Sequence, residues 1–205
     1  MNINFRDINC KYRALAKCHP IGFTHYMTPM SIKLLFENIG VQYIIGSTVL
    51  EIGCGQGFLV NHFLCVGAKH VVGIDITQQI IDTIPIHAFD RYLNNGQSVE
   101  FKVEEFPQIE TKRNYTIATM FIGNLDNVAD LFSLFTSNNV LSIIAFMVPT
   151  RGFRGEIEED MNKTCLQQNW TKIDFPVFLS GSNERRRTII LKKNPIIIDL
   201  TNSDT

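Results

Sequence analysis

The ten residues from Val49 to Phe58, VLEIGCGQGF, constrain the fold more than any other stretch of this chain. Val49, Leu50 and Ile52 make a buried apolar strand, Gly53, Gly55 and Gly57 make a turn, and the run from Phe58 to Val66 supplies the apolar face of a helix. Glycines at alternate positions let the backbone adopt positive φ and let another molecule approach the main chain where a Cβ would collide. The first N–H groups of the helix then point at whatever lies over the turn.

Spacing separates two readings of that turn. A dinucleotide fingerprint requires G-x-G-x-x-G, so that a pyrophosphate rests on the helix N-terminus. The pattern here is G-x-G-x-G, with Glu51 two places ahead of the first glycine. An acidic residue at the strand exit repels a pyrophosphate and suits a ligand that carries an ammonium group, such as an amino acid. On Glu51, Gly53, Gly55 and Gly57 the chain resembles the class I methyltransferases, whose first motif is an acidic residue followed by G-x-G-x-G. The resemblance implies S-adenosyl-L-methionine as cofactor. Cys54 lies inside the same turn, where a helix N-terminus can depress a thiol pKa; small filler between two glycines is the other reading.

A second apolar run, Val71 to Ile76, carries Asp75, 22 positions after Gly53. A Rossmann-like unit returns an acidic residue to the nucleoside after roughly 20. A carboxylate there accepts from both ribose hydroxyls, and such bonds are worth about 1.5–3 kcal/mol each. Ile76 directly follows and is grouped with the cofactor site. The alternative for Asp75 is a cap on the helix that begins near Thr77.

Further site residues follow from the resemblance. After the third strand, Glu104 is the better placed of Glu104 and Glu105 to accept from an adenine amino group, with solvated surface as the alternative. After the fourth strand, in FIGNLDN, Phe121 packs on the adenine or sulfonium region and Asn124 orients a nucleophile. The other reading, which their residue types favour, is that Asn124, Asp126 and Asn127 turn the chain and cap the next helix. Tyr26, in THYMTP before the first helix, is the second catalytic candidate, in a segment that folds over the methionine end. That segment is faintly similar to the non-SET histone lysine methyltransferases, without their Y-G-E pattern. Neither N-P-P-Y nor D-P-P-Y follows the fourth strand, which counts against adenine as acceptor and leaves other nucleic-acid positions open.

The rest of the chain alternates helix and strand. Thr28 to Ile39 reads as a helix capped by Thr28 with Pro29 at its first position. A helical stretch from Thr77 is interrupted by Pro85. Strands follow at Val99–Val103, Tyr115–Ile122 and Val140–Val148, with helices at Asp126–Thr136 and Gly155–Gln168. Ile173–Leu179 and Arg187–Leu191, joined only by a short polar loop, must be antiparallel, whereas the earlier strand–helix units pair in parallel. The predicted fold is an α/β, Rossmann-like three-layer sandwich: a seven-stranded, mostly parallel sheet whose antiparallel last strand slots beside the fifth. Residues 1–193 form one domain, with 1–27 covering the cofactor, and 194–205 form a tail.

A length of 205 residues with 45% hydrophobic content fits one globular domain, and a net charge of −1 gives no field toward nucleic acid or anionic membrane. The first residues lack the apolar core of a signal peptide, and the Val140–Val148 run is too short to span a bilayer. The five cysteines, without a C-x-x-C, read as reduced, and the adjacent Cys18 and His19 as structural or surface residues rather than a metal site. These features predict an intracellular protein of cytoplasm or nucleus, without metal or membrane contact. Arg185 and Arg187 share one strand face and either steer an acidic substrate or guard a strand edge. In the tail, Ile196, Ile197, Ile198 and Leu200, with Asp199 and Asp204, resemble a SUMO-interacting motif that adds a strand to a partner's sheet. The expected activity is methyl transfer to a protein side chain. RNA, a small molecule, or a catalytically silent adaptor recruited through the tail are the alternatives.

Overall fold

The computed structural model describes residues 3–4, 7–8, 26–84, 86–89, 93–94, 96–106, 114–121, 132, 143–149, 156–180 and 185–194. Its strands are β1 (Tyr26–Met27), β2 (Thr48–Ile52), β3 (His70–Asp75), β4 (Ser98–Val103), β5 (Ile117–Phe121), β6 (Ile143–Pro149), β7 (Trp170–Ser180) and β8 (Arg185–Lys193). The helices are α1 (Pro29–Ile39), α2 (Val41–Ile44), α3 (Phe58–Val66), α4 (Gln78–Asp82), α5 (Ile86–Phe89) and α6 (Glu156–Gln167).

Among the described residues eight strands join one sheet, in the order β1-β7-β8-β6-β5-β2-β3-β4. Strands β2 to β6 pair in parallel, and β8 runs antiparallel between β6 and β7, as the short loop before it requires. The expected count of seven is not confirmed: among the described residues there is an eighth strand, Tyr26–Met27, which pairs antiparallel with the end of β7. A two-residue strand has too little alternation to be read from sequence, and the bonds that hold it come from far along the chain. Thr28 N–H donates to the Phe178 carbonyl at 3.0 Å. Ser31 Oγ donates to the same carbonyl at 3.2 Å and accepts from Phe178 N–H at 2.8 Å.

Helices cover both faces of the sheet. On one, Ile32, Leu35, Phe36 and Ile39 of α1 and Leu59, Val60, Phe63 and Leu64 of α3 pack with Val49, Val71, Ile117, Ala145 and Ile190. On the other, Met161 and Cys165 of α6 join Leu50, Val72, Ala118, Ile189 and Leu191. Adjacent residues of β2 therefore enter opposite cores, which is why this strand is apolar without alternation. Thr28 caps α1, its Oγ1 accepting from Ser31 N–H at 3.2 Å, and Pro29 follows as expected. Left-handed Gly67 ends α3. The stretch after Thr77 breaks into α4 and α5, on either side of Pro85.

Both sequence readings of the arginine cluster are corrected at Arg187. Strand β8 is interior to the sheet, so it guards no edge. The Arg187 guanidinium donates to Asp174 on β7 from Nε at 2.8 Å and to Glu158 on α6 from both terminal nitrogens, at 3.0 and 2.5 Å. It is a structural cation that pins α6 to the sheet. Hydrogen bonds from Arg187 hold the Glu158 pKa at about 2, below its ordinary 4.5, with the charges of Arg187 and Lys172 acting the same way against partial burial.

A carboxyl depressed in the folded state stabilises it above its unfolded pKa and loses that contribution as pH falls toward the folded value. The Glu158→Gln variant should therefore be about 1 kcal/mol less stable than wild type at neutral pH, the pair being screened by solvent. That difference should shrink as pH falls from about 4.5 toward 2. Urea unfolding across this range measures it.

Candidate functional site

Parallel pairing sets the carboxyl ends of β2 and β3 side by side, with Glu51 opposite Gly73 and Ile52 opposite Ile74. The turn after β2 then climbs over the end of β3. Gly53, Gly55 and Gly57 all have positive φ, at 70°, 53° and 81°. At Gly55 a Cβ would meet nothing within 4 Å, so this face of the turn is open. Gly57 differs: a Cβ there would lie 2.9 Å from Phe89 and 3.0 Å from Phe101. The expectation that every glycine makes room for a ligand is corrected at Gly57, which makes room for the protein's own aromatic pair, centroids 5.2 Å apart.

Asp75 ends β3 and holds the turn. Its Oδ2 accepts from Gly55 N–H at 3.1 Å and its Oδ1 from Thr77 N–H at 3.0 Å. The second of these is the local contact of the capping alternative; the first crosses to the glycine turn. A carboxylate has about four acceptor positions, so among the described residues one on each oxygen is left without a donor. Beside it, Ile76 is 62% exposed and Val103 is 41% exposed, two apolar side chains open at the strand ends. Glu104 follows Val103, the residue in register with Asp75, and its N–H donates to the Asp75 carbonyl at 3.1 Å. Asp75, Ile76 and Glu104 thus gather around one opening with Gly55.

Glu51 is 5% exposed, and its Oε2 finds no partner among the described residues. Burial holds the carboxyl well above the usual carboxylate range; a hydrogen bond from the Val60 backbone opposes this, and the Asp75 charge adds to it. Gly57, the N-cap of α3, has no side chain to cap with. Glu51 reaches across from β2 and serves the third helical residue instead. Cys54 is buried, and its Sγ would lie 3.0 Å from a Cβ on Gly73. Burial pushes its thiol up, with Glu51 and Asp75 adding to the rise, which favours the filler reading of Cys54 over a depressed thiol.

The two catalytic candidates do not join this group. Tyr26, by pairing with Ser180, lies five strand spacings from β2, roughly 24 Å along the sheet at about 4.8 Å per strand. Its placement over the methionine end is corrected accordingly. Asn124 lies outside the described residues, as do Cys18 and His19 and the tail from 195 to 205. The backbone of Phe121 ends β5 in register with Met147. Sequence reasoning missed Thr119, which is 1% exposed on β5, in register with Glu51, with its Oγ1 unpartnered among the described residues. A threonine in an apolar strand reads as an ordinary β former, so nothing flagged it.

Residues 49–137 match the family described as Methyltransferase domain. The fold is that of the class I, S-adenosylmethionine-dependent methyltransferases. The chain is similar to the ribosomal protein L11 methyltransferase of Xanthomonas axonopodis pv. citri, 31% identical over 109 residues that make up 52% of this chain and 34% of that protein. It is also similar to the ubiquinone biosynthesis O-methyltransferase of Aromatoleum aromaticum, 33% identical over 85 residues, 40% of this chain and 33% of that one. The chain spans about a third of the length of these curated relatives. Among solved structures, magnesium protoporphyrin IX methyltransferase from Synechocystis PCC 6803, with bound SAM, superposes with a TM-score of 0.58 over 94% of this chain and 99% of that one, at 15% identity. Among the described residues no helix is long and apolar enough to cross a membrane, and no group of side chains could hold a metal ion.

The two glycines are separable by stability. Gly55→Ala should cost about 1–2 kcal/mol for the left-handed backbone alone. Gly57→Ala should cost roughly 2–4 kcal/mol, because overpacking adds to that strain. Denaturant unfolding of both variants checks the order, and equal costs would contradict the assignment of Gly57 to internal packing.

Proposed function

We propose that this chain is an enzyme that transfers a methyl group from S-adenosyl-L-methionine, and that the acceptor is a protein side chain. The carrying observation is the Asp75 carboxylate, anchored by Gly55 and Thr77 N–H groups with one acceptor position left on each oxygen beside an open glycine turn. The donor set fits an aminoacyl nucleoside. Asp75 would take the ribose hydroxyls, Ile76 the face of the adenine, Glu104 its amino group, the Gly53 N–H at the start of the turn the carboxylate, and Glu51 the ammonium. Phe121, at the end of β5, would border the sulfonium.

The cofactor supplies an activated methyl on a positively charged sulfur. The protein's share is alignment of donor with acceptor and exclusion of water, since displacement at that carbon is in line. The apolar walls supplied by Ile76 and Val103 serve the second task. Asn124 is the proposed orienting group for the acceptor.

A protein acceptor is supported by the likeness to a ribosomal protein methyltransferase and by the lack of an adenine-recognition signature after β5. The Ile196–Leu200 run would recruit a SUMO-modified partner within the cytoplasm or nucleus. The domain reading, 1–193 with a separate tail, belongs to the same proposal.

Titration calorimetry with S-adenosyl-L-methionine tests the site. The Asp75→Asn variant should bind about 1.5–3 kcal/mol more weakly per ribose bond lost; unchanged affinity removes Asp75 from it. Incubating protein and methyl-labelled cofactor with cell extract should place label in the protein fraction. Label in RNA or in small molecules would reassign the acceptor, and none anywhere despite tight binding would favour a silent adaptor.

A further inference from the structure

Strand β4 ends the sheet, and among the described residues no strand lies beyond it. The Ser98 N–H donates to the Lys69 carbonyl at 3.0 Å and the Glu104 N–H to the Asp75 carbonyl at 3.1 Å. Backbone direction alternates along a strand, so Ser98, Glu100, Lys102 and Glu104 turn their N–H and C=O groups toward β3, while Val99, Phe101 and Val103 turn theirs outward. An open row of this kind is a template for another strand. The opposite edge of the sheet is closed at one end. There Phe178 donates its N–H to Ser31 Oγ at 2.8 Å, and its carbonyl accepts from Thr28 N–H at 3.0 Å. Pro176, of the same parity on β7, turns outward and has no N–H to offer. Strand β4, SVEFKV, has no such proline and, among the described residues, no such cover.

The side chains of β4 are complementary to their own reversal. Glu100 and Lys102 share one face of the strand, Oε2 and Nζ 3.3 Å apart, with 33% and 36% of their side chains exposed. Val99, Phe101 and Val103 share the other, where Phe101 packs on Phe89 and Val103 is exposed. Laid antiparallel on a copy of itself about Phe101, the strand sets Glu100 opposite the partner's Lys102 and Lys102 opposite the partner's Glu100. Val99 falls opposite the partner's Val103, and Phe101 opposite the partner's Phe101. Hydrogen-bond parity agrees with this register. The outward residues Val99, Phe101 and Val103 meet as hydrogen-bonded pairs, and the charged residues meet in the positions between, where opposed side chains come closest. An axis moved to Glu100 or to Lys102 would set that residue against its own copy, like charge to like.

We propose that β4 is an interface for a second copy of this chain, joined antiparallel across a two-fold axis at Phe101 into one continuous sheet. Such a contact is isologous: each copy offers the same patch and receives it. Main-chain hydrogen bonds supply the attachment, and the Glu100–Lys102 pairs set the register. Pairing also covers Val103, which is 41% exposed in the single chain. The strands of the two copies run in opposite directions, so the two glycine turns lie at opposite ends of the joined sheet and neither faces the other. The inference is independent of the cofactor reading.

Sedimentation velocity of the full chain over a micromolar concentration series should show a reversible monomer–dimer equilibrium. Glu100→Lys or Lys102→Glu alone opposes like charges at both pairs and should weaken association by about tenfold or more. An equimolar mixture of the two variants should recover it, since a strand with two lysines then faces a strand with two glutamates. Recovery also shows that each variant folds, although Glu100→Lys gives up the contact of Oε1 with His70 Nε2 at 3.6 Å. A second pair reads the register without charge. Glu100→Cys mixed with Lys102→Cys should oxidise to a disulfide joining position 100 of one copy to position 102 of the other, read from the mass of the cross-linked peptides. Opposed residues there lie about 4.5 Å apart at Cα, within disulfide reach. A chain that stays monomeric throughout the series, a dimer indifferent to both charge reversals, or cross-links only between like positions overturns the proposal. A dimer lost on deletion of residues 195–205 and kept in the charge variants would put the contact at the tail and overturn it likewise.

Discussion

The site depends on one carboxylate that is asked to do two things. Asp75 Oδ2 takes the Gly55 N–H from the turn after β2, and Oδ1 takes the Thr77 N–H from the turn after β3. One side chain thus sets the height of both turns at the edge where the strands end. Without that bridge, the left-handed backbone at Gly53, Gly55 and Gly57 would be a flexible loop with strained alternatives of similar energy. With it, the N–H groups of the turn are aimed in advance, and ligand binding need not order them. The capping and ligand-binding readings of Asp75 are therefore compatible: the local bonds preorganise the acceptors that remain.

Glu51 extends the same economy into the core. Its strand position is buried because β2 is central, and helix α3 needs a cap that Gly57 has no atoms to provide. One oxygen serves the helix; the other has no partner among the described residues. A hydrophobic residue would pack more easily there, and an asparagine would cap without the cost of a buried acid.

How much of this was legible in the sequence follows from how local each feature is. The turn VLEIGCGQGF, the return of Asp75, the Thr28 cap and the Gly67 stop are all signals within one helix or one strand–turn–helix unit, and they carried the parallel half of the sheet. Strand β1 and helix α2 are two and four residues long and have no periodicity to detect. The fate of Gly57 depended on Phe89 and Phe101, 32 and 44 positions away. That of Arg187 depended on Glu158 and Asp174, brought to it by an antiparallel register no spacing rule encodes. Thr119 could be recognised only beside Glu51, since its meaning lies in the pairing of β5 with β2 and not in its own residue type.

This difference in locality separates the two halves of the molecule. The half built on β2, β3 and β4 follows from short motifs, and it is the half whose chemistry would be common to any acceptor. The other half, β6, β8, β7 and β1, is assembled by contacts such as Ser31 with Phe178, 147 positions apart, and by the Arg187 network that fixes α6. Its outer edge, β1, lies roughly 24 Å from the glycine turn at about 4.8 Å per strand. The order of the strands thus sets the open glycine turn in the half built from local motifs, and leaves the half held by long-range contacts as its scaffold.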